Sequence, residues 1–124
     1  MNLIEVRGTS QLERFIRMPF RLYREDPKWV PPLVSAEMKM MDPKRNPFYD
    51  HAEAAHFMIE RDGRLVGRIS AIDNKLHNQV QSQKTGFWGY FESENDPEVS
   101  GKLFEAAAGW LTFPALSVQV PEPD

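Results

Sequence analysis

The chain has 124 residues, enough for one domain with a single core, and a compact chain of this size buries about two-thirds of its unfolded surface. An apolar fraction of 41% and a charged fraction of 27% are ordinary globular values, so neither disorder nor a fibrous repeat is implied. Fifteen Lys and Arg against 18 Asp and Glu, spread along the chain for a net charge of −3, exclude a dominant nucleic-acid surface, and the absence of cysteine excludes disulfides, a thiolate nucleophile and a cysteine zinc site.

From the N-terminus, Asn2 to Arg7 is a short β-prone run closed by Gly8 and predicts a first strand. Ser10, with Glu13 three residues later, reads as the capping box of a helix carrying Leu12, Phe15 and Ile16 at helical spacing. Pro19 has no N–H to donate, so a kink or pause is expected there before the helix ends by Asp26-Pro27. The stretch from Asp26 to Leu33 holds three prolines and reads as an ordered extended link with Trp29 packed down. A second helix is predicted over Leu33 to Met41, stopped by Asp42-Pro43, and Asn46 to Asp50 reads as coil.

The strongest local signal is Asp62-Gly63 between two apolar runs, His56 to Arg61 and Arg64 to Ile72. This dipeptide suits a two-residue type I′ turn because both positions need positive φ. That register sets Arg61 across from Arg64 and Ile59 across from Val66. Asn74 to Thr85 is polar and predicts a loop; Gly86 to Phe91 is an aromatic strand; Asp96-Pro97 opens a helix with Val99, Leu103, Ala106, Ala107 and Trp110 on one face. Leu116 to Val120 reads as one more short strand.

The order strand, helix, helix, hairpin, strand, helix, together with Asp26-Pro27-Lys28-Trp29-Val30-Pro31-Pro32, Asn46-Pro47-Phe48, Gly67 to Ile72 and Gly86 to Glu92, resembles the opening of the GNAT N-acetyltransferase superfamily, in a bacterial subfamily without assigned chemistry. The similarity runs from about residue 3 to 110, with a divergent tail over 111–124, and implies the N-terminal half of that fold only: an α/β (α+β) domain with a mixed, mostly antiparallel sheet and flanking helices, order β-α-α-β-β-β-α. It further implies acetyl-CoA as cofactor, with the pantetheine arm on the strand ending at Phe91 and the pyrophosphate at the next helix, so that Phe91, Glu92, Ser93, Ser100 and Gly101 are the expected contacts. A helix N-terminus with free N–H groups suits such an anion. Here, however, Glu92, Glu94, Asp96 and Glu98 crowd that turn and Pro97 removes a donor, which predicts a degenerate cofactor site.

No catalytic residue stands out. Glu53, Glu60 and Asp73 lie near the hairpin, where a carboxylate can act as general base, though solvated surface charges are the simpler reading. His51, His56 and His77 lack metal-ligand spacing, so no metal is expected. Lys84 to Phe91 has the aromatic pattern of an RNA-binding strand, but the acidic run after it argues against a nucleic-acid partner. No stretch approaches the roughly 20 apolar residues of a membrane span, and the chain reads as cytoplasmic with no membrane partner. The sequence thus predicts a GNAT-like remnant of an acyl-CoA-dependent N-acyltransferase. The alternative is a non-catalytic module that dimerises or docks on a partner chain through an exposed sheet edge, using Phe87 to Phe91 or the last helix.

Overall fold

The structure is a computed structural model, and it describes residues 1–74, 85–111 and 117–119. In chain order the elements are β1 (Asn2–Glu5), α1 (Gly8–Leu22), α2 (Val34–Met40), a 3-10 turn (Pro47–Asp50), β2 (Ala52–Arg61), β3 (Arg64–Asn74), β4 (Thr85–Ser93), α3 (Pro97–Leu111) and β5 (Ser117–Gln119). The sheet order is β1-β2-β3-β4-β5, antiparallel through β4, with β5 parallel to β4. This matches the α/β architecture and element order that the sequence implies. The predicted loop over 74–85 lies almost entirely outside the described residues.

The sheet is a middle layer with helices on both faces, because successive strand residues point to opposite sides. Phe57, Ile59, Val66, Ile69 and Ala71 form one core with Val99, Leu103, Ala107 and Leu111 of α3. Met58 and Leu65 form a second core with Phe15, Ile16 and Met18 of α1 and with Met41.

The hairpin turn is as expected, with φ of +53° at Asp62 and +78° at Gly63, and Arg61 faces Arg64. The register further in is different: Ile59 pairs with Gly67, and Glu60 with Leu65, so Val66 is the extra residue of a β-bulge. The bulge puts Val66 and Gly67 on the α3 side, where a Cβ at Gly67 would stand 2.8 Å from both Leu103 Cδ1 and Val99 Cγ1. Only glycine lets α3 pack that closely.

Two expectations about α1 need correction. The helix begins at Gly8, before Ser10, and has no side-chain cap; instead the Gln11 carboxamide reaches back 2.5 Å to accept from the Arg7 backbone N–H. Pro19 does not interrupt it, and the helix runs on to Leu22. The carbonyl that loses its i+4 donor to proline belongs to Phe15, and Arg68 Nη1 of β3 donates to that same oxygen at 2.8 Å. A side chain from the sheet therefore replaces the missing helical bond. Residues 47–50, expected as coil, form a 3-10 turn because Asn46 Oδ1 caps it, accepting from the Phe48 N–H at 3.0 Å. Trp29 is packed down as predicted, stacked on Tyr23 at 5.5 Å and edge-on to Phe20 at 5.3 Å.

Candidate functional site

β4 carries the main irregularity of the sheet. It pairs with β5 at Thr85, Gly86 and Phe87, and no described strand continues that pairing as β4 runs on to Ser93. On its other side the register slips between the Ser70↔Gly89 and Arg68↔Glu92 pairs, and Tyr90 sits at φ +54°, a left-handed backbone that an aromatic residue seldom adopts. β4 is therefore irregular from Gly89 to Glu92, just before it reaches α3.

At that end a cleft of about 450 Å³ separates β4 from the start of α3, lined among others by Phe91, Ser93, Glu94, Asp96, Ser100 and Phe104. Its apolar wall is an aromatic stack: Phe91 lies on Phe104 at 4.8 Å, with Trp88 edge-on to Phe104 at 5.1 Å. The Trp88 indole N–H is buried next to this wall without a hydrogen-bond partner among the described residues. Asp96 caps α3, its Oδ1 accepting from the Glu98 N–H at 2.9 Å, and Pro97 takes the first helical position, as the sequence predicts.

The acids of this turn are held by partners from the rest of the fold. The Tyr23 hydroxyl of the α1 side donates to Glu92 Oε2 at 2.5 Å, which with burial pushes the phenol up to about 12. Glu94 Oε1 lies 3.0 Å from Arg21 and 3.7 Å from Arg64, and Asp96 Oδ2 accepts from Arg61 at 2.8 Å. That bond and the capping N–H hold the Asp96 carboxyl below the usual carboxylate range.

Of the expected cofactor contacts, the structure brings Phe91, Ser93 and Ser100 into the cleft. It does not bring in the Glu92 side chain, which faces Tyr23 on the opposite side of the sheet, and Gly101 sits on the exposed side of α3 with nothing within 4 Å of a Cβ built there. Glu60 is paired with Arg14 at 2.8 Å, while Glu53 faces Asp73 across β2 and β3, at the end of the hairpin far from its turn. Phe87, proposed as part of a docking edge, is paired with Gln119. His51 is exposed, His77 lies outside the described residues, and among those residues no cluster of three His, Asp or Glu could hold a metal. No described helix is long and apolar enough to cross a membrane.

Sequence reasoning missed the polar seam beneath α1. His56 Nδ1 is 2.6 Å from Ser70 Oγ, Phe15 covers the imidazole at 5.2 Å, and burial, with the Arg68 charge, lowers the His56 pKa to about 4. Arg68 is 9% exposed, with its guanidinium 4.9 Å from the Phe15 ring centre and 5.7 Å from that of Tyr90. Burial pulls Arg68 below the ordinary guanidinium range, against the attraction of Glu92 and Glu37. The alternation of His56 with Phe57 and of Arg68 and Ser70 with Ile69 was the available signal: polar residues recur on one face only.

The fold as a whole recurs among solved structures. An aminoglycoside acetyltransferase from an uncultured soil metagenomic sample, in complex with sisomicin, matches 99% of this chain with 78% of its own (TM-score 0.65, 11% identity). An acyl-CoA N-acyltransferase from Pseudomonas aeruginosa matches 97% of this chain with 76% of its own (TM-score 0.60, 14% identity). The chain has the fold of the GNAT acetyltransferases. The expectation of an N-terminal half only is not borne out, because the match extends over more than three-quarters of each of those chains. No protein-family model matches. Among curated proteins, a bacterial ceramide synthase of Caulobacter vibrioides is 42% identical over 112 residues, covering 90% of this chain and 29% of that protein. Protein YghO of Escherichia coli is 36% identical over 102 residues, covering 82% of this chain and 26% of its own length. The chain thus spans less than a third of either relative.

Proposed function

We propose that this chain forms the acyl-CoA-binding part of an N-acyltransferase, with the donor held along the irregular end of β4 and in the cleft at the start of α3. The carrying observation is the left-handed Tyr90 and the register slip that breaks the β3–β4 ladder just before the cleft. The residues present fit a pantetheine thioester: the β3–β4 register slip leaves the backbone at Tyr90 and Phe91 out of the ladder, Phe91 and Phe104 supply an apolar wall, and the buried Trp88 N–H has no acceptor among the described residues. When bound, acyl-CoA supplies an activated thioester carbonyl for attack by an amine.

The chain's own residues must orient that donor and accept the amine's proton. Glu92 directly follows the bulge, and its carboxylate lies on the α1 side of the sheet, fixed by Tyr23. A carboxylate so placed suits the general base for an amine arriving from that side. The identity to a ceramide synthase favours an amino lipid as acceptor, since a ceramide is an N-acyl amide. The acidic turn is compatible with this reading because Glu94 and Asp96 are each paired with arginine.

Titration calorimetry with acetyl-CoA and desulfo-CoA tests the proposal. Binding in the micromolar range is expected; no heat with either ligand overturns it and returns the chain to the degenerate-site reading.

A further inference from the structure

β1 pairs with β2 only from Phe57 to Glu60, and one more bond, from the Val6 N–H to the His56 carbonyl at 2.8 Å, ends the pairing before Gly8 at φ +82° turns the chain into α1. Past the end of β1 a cleft of about 420 Å³ opens, with Val6, Leu12, Met38, Met41, Ala54 and His56 among its lining. A second cleft, of about 350 Å³, shares Met41, Pro43, Ala54 and His56 with the first and adds Tyr49 and Trp110. The shared residues make the two one continuous groove over the first half of β2.

Charge divides this groove from the rest of the same face. Of the charged residues lining the first cleft, Arg45 is paired with Asp42 at 3.2 Å and Lys44 is exposed. His56, with a pKa of about 4, is neutral at pH 7 and spends its Nδ1 on Ser70. The carboxylates lie at the other end. Glu92, which the amine is proposed to meet, is two strands over and two residues along, on the order of 12 Å from His56 by strand spacing. Glu37 of α2 lies close enough to Arg68 and Tyr90 to raise the pKa of both. Tyr90 in turn adds to burial in raising the Tyr49 phenol, which brings the Tyr49 end of the groove near the irregular stretch of β4. An amino lipid has the same division, with one cationic end and one long apolar end, and each methylene taken out of water adds to its affinity. We propose that this groove holds the hydrocarbon chain of the amino-lipid acceptor, with the amine directed to Glu92.

The inference rests on the amino-lipid reading and deepens it. It is tested by titration calorimetry with butylamine, with dodecylamine below its micelle concentration, and with acetyl-CoA and dodecanoyl-CoA, on the wild-type chain and on Ala54→Phe and Thr9→Trp. Ala54 is half-buried and lines both clefts, whereas Thr9 lines the first from an exposed position, so the second variant fills the groove from the surface if Ala54→Phe fails to fold. Wild type is expected to bind dodecylamine at least about a hundred-fold tighter than butylamine. Each folded variant should cut that preference at least about ten-fold while binding acetyl-CoA as wild type does. No preference for dodecylamine in wild type, or a preference that both variants keep, overturns the groove and leaves the acyl-CoA reading standing. So does a variant that keeps dodecylamine but loses dodecanoyl-CoA relative to acetyl-CoA, because the chain in the groove is then the donor's. If wild type binds no acetyl-CoA, the acyl-CoA reading fails, and the acceptor role of the groove with it.

Discussion

Toward α3 the buried core of the sheet is apolar, with Phe57, Ile59, Val66, Ile69 and Ala71, and the helix answers with Val99, Leu103, Ala107 and Leu111. Toward α1 the same strands present His56, Arg68 and Ser70 among Met58 and Leu65, under the rings of Phe15 and Tyr90. The core of the first face is held by area and fit, and no titratable group is among its residues. The second couples its packing to protonation and to specific hydrogen bonds, and it is the face from which the acceptor is proposed to approach. One sheet thus carries an apolar core on one side and a buried titratable seam on the other.

The largest expected effect breaks the apolar face. Leu103 is fully buried, so Leu103→Ala should cost about 2–5 kcal/mol in denaturant unfolding. That cost should be the same at pH 5 and pH 8.

The responsive face should show the opposite behaviour. His56 titrates near 4 in the fold and near its ordinary 6.5 when unfolded, so the unfolded chain binds the proton first as pH falls. The stability due to a neutral His56 is complete above pH 6.5 and drains away between there and about pH 4, a loss on the order of 3 kcal/mol. Unfolding curves across that window should show the slope, and His56→Gln should flatten it; an unchanged slope in the variant would mean that another group carries it.

A smaller effect sharpens the contrast further. Arg68→Met keeps the bulk but leaves the Phe15 carbonyl without a donor, at a cost of about 1–3 kcal/mol. In a Pro19→Ala background the alanine N–H can supply that bond, so the penalty should shrink. Additive costs in the double-mutant cycle would show that Arg68 does not serve that carbonyl.

Much of this arrangement was legible in the chain. Asp62-Gly63 specified its turn, Asp96-Pro97 its cap, and the spacing of Val99, Leu103 and Ala107 its helix, because each depends on local backbone chemistry. The bulges at Val66 and Tyr90 were not legible. Val66 looks like any strand residue, and its displacement answers the close approach of α3 over Gly67, a tertiary demand. The site suffered in the same way. Phe91, Ser93 and Ser100 could be named from the resemblance, but the arginines that hold the acidic turn come from positions 21, 61 and 64, with nothing in sequence joining them to residues 94 and 96.

The bond between Arg68 and Phe15 also bears on how such a chain can change over generations. A proline at position 19 is harmless only when a donor already waits at position 68, so the two sites are not free to vary independently. In relatives sharing this helix, proline at the first position should be found together with arginine at the second. Where the arginine is missing, the helix should carry at position 19 a residue with its own N–H.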